Sequence, residues 1–390
     1  MPKNNQLSAN PTGLDRILVD FFAGMGLMRL GLERHGWSIA LANDIDEQKF
    51  QMYKGNFRDA EEHYLVKDIH QLSADEVPTC TLATASFPCN DLSLAGARNG
   101  LQGRHSSAFW GLIRILREMG NRRPPMVLLE NVTGFLTSCE GKDFRDALLA
   151  LNGLGYGVDA FILDAVSFVP QSRARLFVVG ILNQEHPFRV VPHPAALVSK
   201  VRPRALAEFI RAHSDIQWDI RMLPDPPETE DRLVDVVEDL PEDAPEWWSK
   251  ERTEYLLNQM SSRHRRIADE MIRKRDWSYG TVFRRIRHDK SMAELRVDGI
   301  AGCLRTPRGG SGRQILFKAG YRRCFARLLT PRECARLMGA NGYRIKVPLN
   351  QALFGFGDAV CVPVISWIAK YYLNRVADEI TTKRAVLQPV

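Results

Sequence analysis

The sequence predicts an α/β fold: a doubly wound, mostly parallel sheet joined to a second, smaller unit. Two observations carry this. From residue 16 to about 182, short apolar runs alternate with stretches of helical periodicity, the pattern of strand–helix–strand units. After Leu182 that rhythm stops, and a proline-rich, an acidic and a basic segment follow in turn. With 390 residues, 45% apolar and 25% charged, the chain can bury one large core and a second small one.

The elements read in order. ILVDFF (17–22) is a buried strand that ends at a glycine turn, and GLMRLGLERHG (26–36) then has helical periodicity. IALAND (39–44), TLATASF (81–87), MVLLENV (126–132), AFILDAV (160–166) and RLFVVGIL (175–182) read as further strands. FWGLIRILREM (109–119) and FRDALLALNGL (144–154) read as helices between them. In such a sheet, ligands sit at the carboxyl ends of the strands. The alternation returns weakly at the C-terminus, where 362–380 reads as an amphipathic helix.

Residues 184–228 hold seven prolines: Pro187, Pro192, Pro194, Pro203, Pro224, Pro226 and Pro227. The acidic stretch, roughly 225–254, reads as a solvated face. Residues 260–323 hold 17 Lys/Arg against 6 Asp/Glu, a concentration hidden in the whole-chain charge of +7. A polyanionic partner is expected there. Seven widely spaced cysteines without a CxxC pair argue against a disulfide framework or structural zinc, and no metal site is expected. The first residues lack the apolar core of a secretory signal, and no apolar run is read as long enough for a membrane span. A soluble protein of the reducing cytosol is expected.

The unusual residues fall at the predicted strand ends. Gly24 and Gly26 permit a sharp turn and close approach of a ligand to the backbone; a purely structural turn reads equally well from them. Asp44 follows about twenty positions later, where an acidic residue can bond a ribose diol. Neither GxGxxG nor GxxxxGK[ST] occurs, so a nucleoside is favoured over a phosphate. Asp68 ends a third candidate strand and could accept from an adenine amino group. In SFPCNDLS, Cys89 follows a proline at a strand end, which presents it at the top of the sheet. Glu130 ends the neighbouring strand, and burial there favours its protonated form. Arg173 and Arg175, two apart in QSRAR, share one side of an extended chain.

Taken together, FAGMG, FPCNDLS, ENV, QSRAR, TPRECARLMG (330–339) and GFGDAV (355–360) resemble, in order and spacing, the motif set of the DNA cytosine-5 methyltransferase family. The resemblance covers nearly the whole chain except about 185–300, where that family carries its variable target-recognition region. It implies a Rossmann-like methyltransferase sheet, with an S-adenosylmethionine-binding catalytic domain at 1–185. A target-recognition domain would follow at 186–349, and a segment returning to the catalytic domain at 350–390. Cys89 would attack carbon 6 of a flipped cytosine, Glu130 would hold nitrogen 3 and the exocyclic amine, and Arg175, supported by Arg173, would bond the ring carbonyl. The cofactor would touch Phe22, Ala23, Gly24, Met25, Gly26, Asp44, Ile45, Asp68, Ile69 and Pro88, and leave as S-adenosylhomocysteine. Ser93, Arg98, Arg305, Arg308, Gly309, Gly310 and Arg313 would face double-stranded DNA.

Two departures stand out. Leu27 occupies a position where the family often has glycine, and Asp358–Ala359 one where Asn–Ser or Asn–Ala is commoner. Asp358 would then approach the ammonium end of the methionine part. The implied enzyme acts as a monomer in the cytoplasm, with a cognate restriction or defence system as partner. An RNA cytosine-5 methyltransferase of similar type and a catalytically silent DNA-binding relative are the competing readings. The long basic insert favours duplex DNA.

Overall fold

The computed structural model describes residues 16–87, 107–182, 197–287, 290–306 and 312–387. Seven strands form the main sheet: β1 (Ile17–Phe21), β2 (Ser38–Asp44), β3 (Tyr64–Val66), β4 (Leu82–Ala85), β5 (Met126–Val132), β6 (Tyr156–Asp164) and β7 (Ala174–Leu182). Their order is β3-β2-β1-β4-β5-β7-β6. The pairs from β3 to β5 are parallel, whereas β7 is antiparallel to both β5 and β6. The α/β, mostly parallel reading therefore holds, with one reversed strand.

The strands read as continuous apolar runs because both faces are covered. Leu18 and Leu128 belong to the core on one face, Val19 and Val127 to the core on the other. Helix α1 (Leu27–Glu33) lies on the first face, α4 (Ser107–Glu118) and α5 (Lys142–Asn152) on the second; α2 (Glu47–Lys54) and α3 (Ala60–His63) follow β2. A Cβ at Gly31 would lie 2.7 Å from Ile365 Cβ, so α1 and the helix Val362–Ile368 meet through that glycine.

Residues 197–220 run along the outer side of the sheet. Val158 and Ile162 donate to Gln217 and Val201, and the buried Arg202 pairs with Asp159 at 2.8 Å. A separate antiparallel sheet, in the order β11-β10-β8-β9, comprises β8 (Ser278–Arg287), β9 (Lys290–Arg296), β10 (Ile315–Gly320) and β11 (Arg323–Leu328). With the helices Lys250–Asn258 and Ser262–Arg273 it encloses its own small core of Leu256, Met271, Val282, Phe317 and Ala326.

The expectation of no span-length apolar run needs correction. The helical stretch Leu349–Thr382 is long and apolar enough, by length and composition alone, to cross a bilayer. Yet 67% of its most apolar window is buried inside the protein, and Phe356, Ile365, Ile368 and Tyr372 pack in the sheet core. It is apolar because it is a core helix.

Candidate active site

One cleft of about 650 Å³ opens along the carboxyl ends of β1, β2, β4 and β5. Its shape follows from the topology. Parallel strands bring Phe21, Asp44, Ala85 and Glu130 to the same edge of the sheet. The reversed β7 delivers its beginning, not its end, to that edge: Arg175 pairs in register with Val132. A parallel β7 would have left Arg175 on the far side of the molecule.

The β1–α1 turn forms one end. Phe22, Gly24 and Gly26 have φ of 58°, 55° and 85°, the left-handed region. At Gly24 a Cβ would meet nothing closer than 3.8 Å, so backbone conformation alone favours glycine; at Gly26 it would strike Phe57 at 2.5 Å. Asp44 fixes the turn by accepting from Gly24 N (2.9 Å) and Asp46 N (3.0 Å). The Tyr64 hydroxyl donates to Gly24 O at 2.9 Å and that of Tyr343 to Met25 O at 2.7 Å. Ile45 is 67% exposed at the rim, an apolar side chain that lines the cleft rather than the core. Asp68 accepts from His70 N and, with Ile69, lines the next wall. Asp358 closes this end, bound by Lys49 Nζ at 3.0 Å and by the Thr306 hydroxyl at 2.6 Å.

The other end is built from charged side chains. Glu130 is buried as expected but not alone: Arg175 Nε lies 3.0 Å from its Oε1. Arg173, 3% exposed, ties three segments together. Its Nη1 donates to Leu304 O at 2.9 Å, its Nη2 to Gly357 O at 3.0 Å and Ala359 O at 2.6 Å. Burial, and then the neighbouring Arg175, lower its proton affinity. Gln171, from the same QSRAR motif, donates to Leu337 O and accepts from Leu304 N. Asn131 donates to Phe87 O at 3.3 Å, anchoring the chain where it leaves β4.

Of the residues singled out from sequence, the cleft gathers Phe22, Ala23, Gly24, Met25, Asp44, Ile45, Asp68, Ile69, Glu130, Arg173, Arg175 and Asp358; Gly26 stands just behind it. Cys89, Pro88, Ser93, Arg98, Arg308, Gly309 and Gly310 lie outside the described residues. Phe87, which lines the cleft, is the last described residue before them. Arg305 is exposed, with its guanidinium 5.2 Å from the Phe283 ring of β8, whereas Arg313 packs over Phe354 at 5.7 Å. Sequence reasoning missed Lys49, Tyr64, Asn131, Gln171, Cys303 and Thr306. Of these, only Asn131 and Gln171 carried a signal, their places within ENV and QSRAR.

The model of the C-5 cytosine-specific DNA methylase family matches residues 17–374. The type II methyltransferase M.DsaV of Dactylococcopsis salina is 28% identical over 360 residues, covering 91% of this chain and 85% of the relative. M.HhaI of Haemophilus parahaemolyticus, also a type II methyltransferase, is 26% identical over 353 residues, 90% and 92% of the two chains. The crystal structure of the S. pombe Dnmt2 methyltransferase superposes with a TM-score of 0.62 at 19% identity, covering 92% of this chain and 98% of that one. That structural likeness concerns the fold.

Proposed function

The chain belongs to the C-5 cytosine-specific DNA methylase family, a DNA (cytosine-5) methyltransferase, and we propose that it uses S-adenosylmethionine and works through a covalent adduct on Cys89. The observation that carries this is the meeting of Glu130 and Arg175 at the edge where β4 leads into Pro88–Cys89, with the Gly24–Asp44 turn at the other end of the same cleft.

The residues fit the cofactor. A carboxylate offers about four lone-pair positions, and Asp44 gives two to backbone N–H groups, which leaves acceptors for ribose hydroxyls. Ile45 supplies an apolar surface for adenine, and Asp68 and Ile69 its other edge. Asp358, already paired with Lys49, sits where the amino-acid part would end. When bound, the cofactor supplies an electrophilic methyl group.

The chain's own residues do the rest. The base must leave the duplex, since carbon 6 is unreachable within it. The Cys89 thiolate bonds to carbon 6, and the displaced electron pair makes carbon 5 nucleophilic. Glu130 supplies a proton at nitrogen 3 and holds the exocyclic amine. Arg175 donates to the ring carbonyl oxygen, where negative charge develops. After carbon 5 is methylated it loses its proton to water, Cys89 leaves as thiolate, and the proton on nitrogen 3 returns to Glu130. Arg173 acts through Arg175 and the 303–304 segment, as a positioning residue.

The partner is double-stranded DNA, met by the 260–323 region, and the protein acts as a cytoplasmic monomer beside a cognate restriction or defence system. The target-recognition domain, assigned to 186–349, reads the sequence. Incubation with tritiated cofactor and DNA, tRNA or neither tests the substrate: label should enter DNA, and label in tRNA alone would overturn the reading. Cys89→Ser should fold and bind cofactor yet transfer no detectable methyl, because an alcohol is a far poorer nucleophile near neutral pH; near-wild-type turnover would refute the adduct. Arg308→Ala should weaken binding to cognate and random duplexes alike and lower the salt slope by about one. An unchanged slope would remove Arg308 from the phosphate backbone.

A further inference from the structure

The proposed reaction leaves one polar group of the base end without a task. Cys303 is a half-buried free thiol on the segment that passes between the two ends of the cleft. Its Sγ lies 3.4 Å from Nη1 of Arg173 and 3.9 Å from Nη2 of Arg175. As a thiol it donates to Leu304 O at 3.3 Å, the carbonyl that Arg173 also holds. One sulfur therefore touches both guanidinium groups. Arg175 is held on another edge by Glu130, so the order across the site is Glu130, Arg175, Cys303, Arg173.

A buried and a half-buried guanidinium side by side repel: burial, and then Arg175, lower the proton affinity of Arg173. An acceptor between them offsets that repulsion. Burial works to raise the proton affinity of the Cys303 thiol, but Arg173, Arg175 and Arg305 outweigh it, and the net shift is downward. The arginines thus ease ionisation of the thiol, and its anion is the better acceptor.

We propose that Cys303 is a positioning residue whose sulfur bridges Arg173 and Arg175, holding the Arg175 guanidinium where it meets the carbonyl oxygen of the flipped base. This rests on the reaction proposed above. Cys303 is not the nucleophile; it acts only through the arginines.

Two measurements on the full chain test it, one of them independent of turnover. In the Cys89→Ser protein, alkylation of Cys303 by iodoacetamide, read by peptide mass spectrometry, should titrate at lower pH than in the Cys89→Ser/Arg175→Gln protein. Coincident titrations would mean that sulfur and guanidinium are not coupled, and would overturn the bridge whatever the enzyme's substrate. In otherwise wild-type protein, Cys303→Ala should lower the single-turnover methylation rate about tenfold, the scale of one hydrogen bond to a charged group. DNA affinity and its salt slope should stay unchanged. Cys303→Ser should recover part of the rate. The ratio of wild-type to Cys303→Ala rates should grow as pH rises, because the thiolate holds the guanidinium better than the thiol; the Ser-to-Ala ratio should stay flat. An unaltered rate in Cys303→Ala would overturn the inference. So would a loss confined to DNA affinity with a changed salt slope, which would put residue 303 against a phosphate instead. A wild-type protein that labels no DNA would refute the proposed reaction, while the alkylation result would still judge the bridge.

Discussion

The two ends of the cleft are built in opposite ways. The end around the β1–α1 turn, proposed for the cofactor, comes mostly from one continuous stretch, residues 22–69, and much of it is backbone: three left-handed residues, and carboxylate and hydroxyl groups that hold Gly24 by its own N–H and C=O. The base end is drawn from β5, the start of β7, and segments around 303 and 358, joined by charged side chains that each touch several partners. A turn held by backbone contacts tolerates change at one side chain with a local loss. A cluster of mutually dependent charges responds as a unit.

That contrast can be broken by experiment. Glu130→Gln should lower the methylation rate by roughly a hundredfold or more, the range of general acid–base catalysis, with DNA binding nearly kept. Combined with Arg175→Gln it should cost little more than the worse single variant; strictly multiplied losses in single-turnover assays would show that the two act separately. Asp44→Asn at the other end should weaken cofactor binding about tenfold, through hydrogen bonds to a charged acceptor, and leave the rate at saturating cofactor almost intact. Calorimetric titration with unchanged affinity would remove Asp44 from the cofactor.

The smallest effect lies beneath the cofactor end. Asp20 is 1% exposed; one oxygen accepts from Thr84 at 2.6 Å, and the other has no partner among the described residues. Burial raises its pKa to about 7, with Asp44 adding to the rise and the Thr84 bond opposing it. The folded state therefore holds this proton more tightly than the unfolded chain, whose value is 3.8. Its contribution to stability is fully present below about pH 4 and is lost as pH climbs through 7. Asp20→Asn should flatten that decline, so the variant gains on the wild type between pH 5 and 8. Parallel melting curves across that range would contradict it.

Legibility from sequence followed the same divide. Buried parallel strands print themselves as apolar runs, so β1, β2, β4, β5 and β7 were placed to within a few residues. β6 begins earlier than its apolar run suggests, because Asp159 is buried against Arg202 and so does not mark a strand end. The small sheet was not visible at all: RRIR, KSMAELR and RRCFARL alternate charge with apolar residues and read as a basic segment. The bounds at 186 and 349 follow from the family resemblance; core packing joins Val201, Leu233 and Tyr343 to the large sheet. The cofactor end was legible because its parts are near in sequence. Cys303 and Gln171 gain their roles only where segments more than a hundred positions apart meet, and Thr306 where segments 52 apart do; no periodicity announces that.

The contact of Gly31 with Ile365 bears on how the protein is made. The ribosome releases the cofactor turn early and its clasp late. At roughly 5–20 residues per second, tens of seconds separate the two. Throughout that interval α1 has its strand beneath it but not the helix that packs against it, and for most of it Tyr343 has not yet been made. The distant partners must be brought together against the entropy of the whole intervening chain. A growing polypeptide thus carries the β1–α1 turn long before the helix Val362–Ile368 can pack against α1.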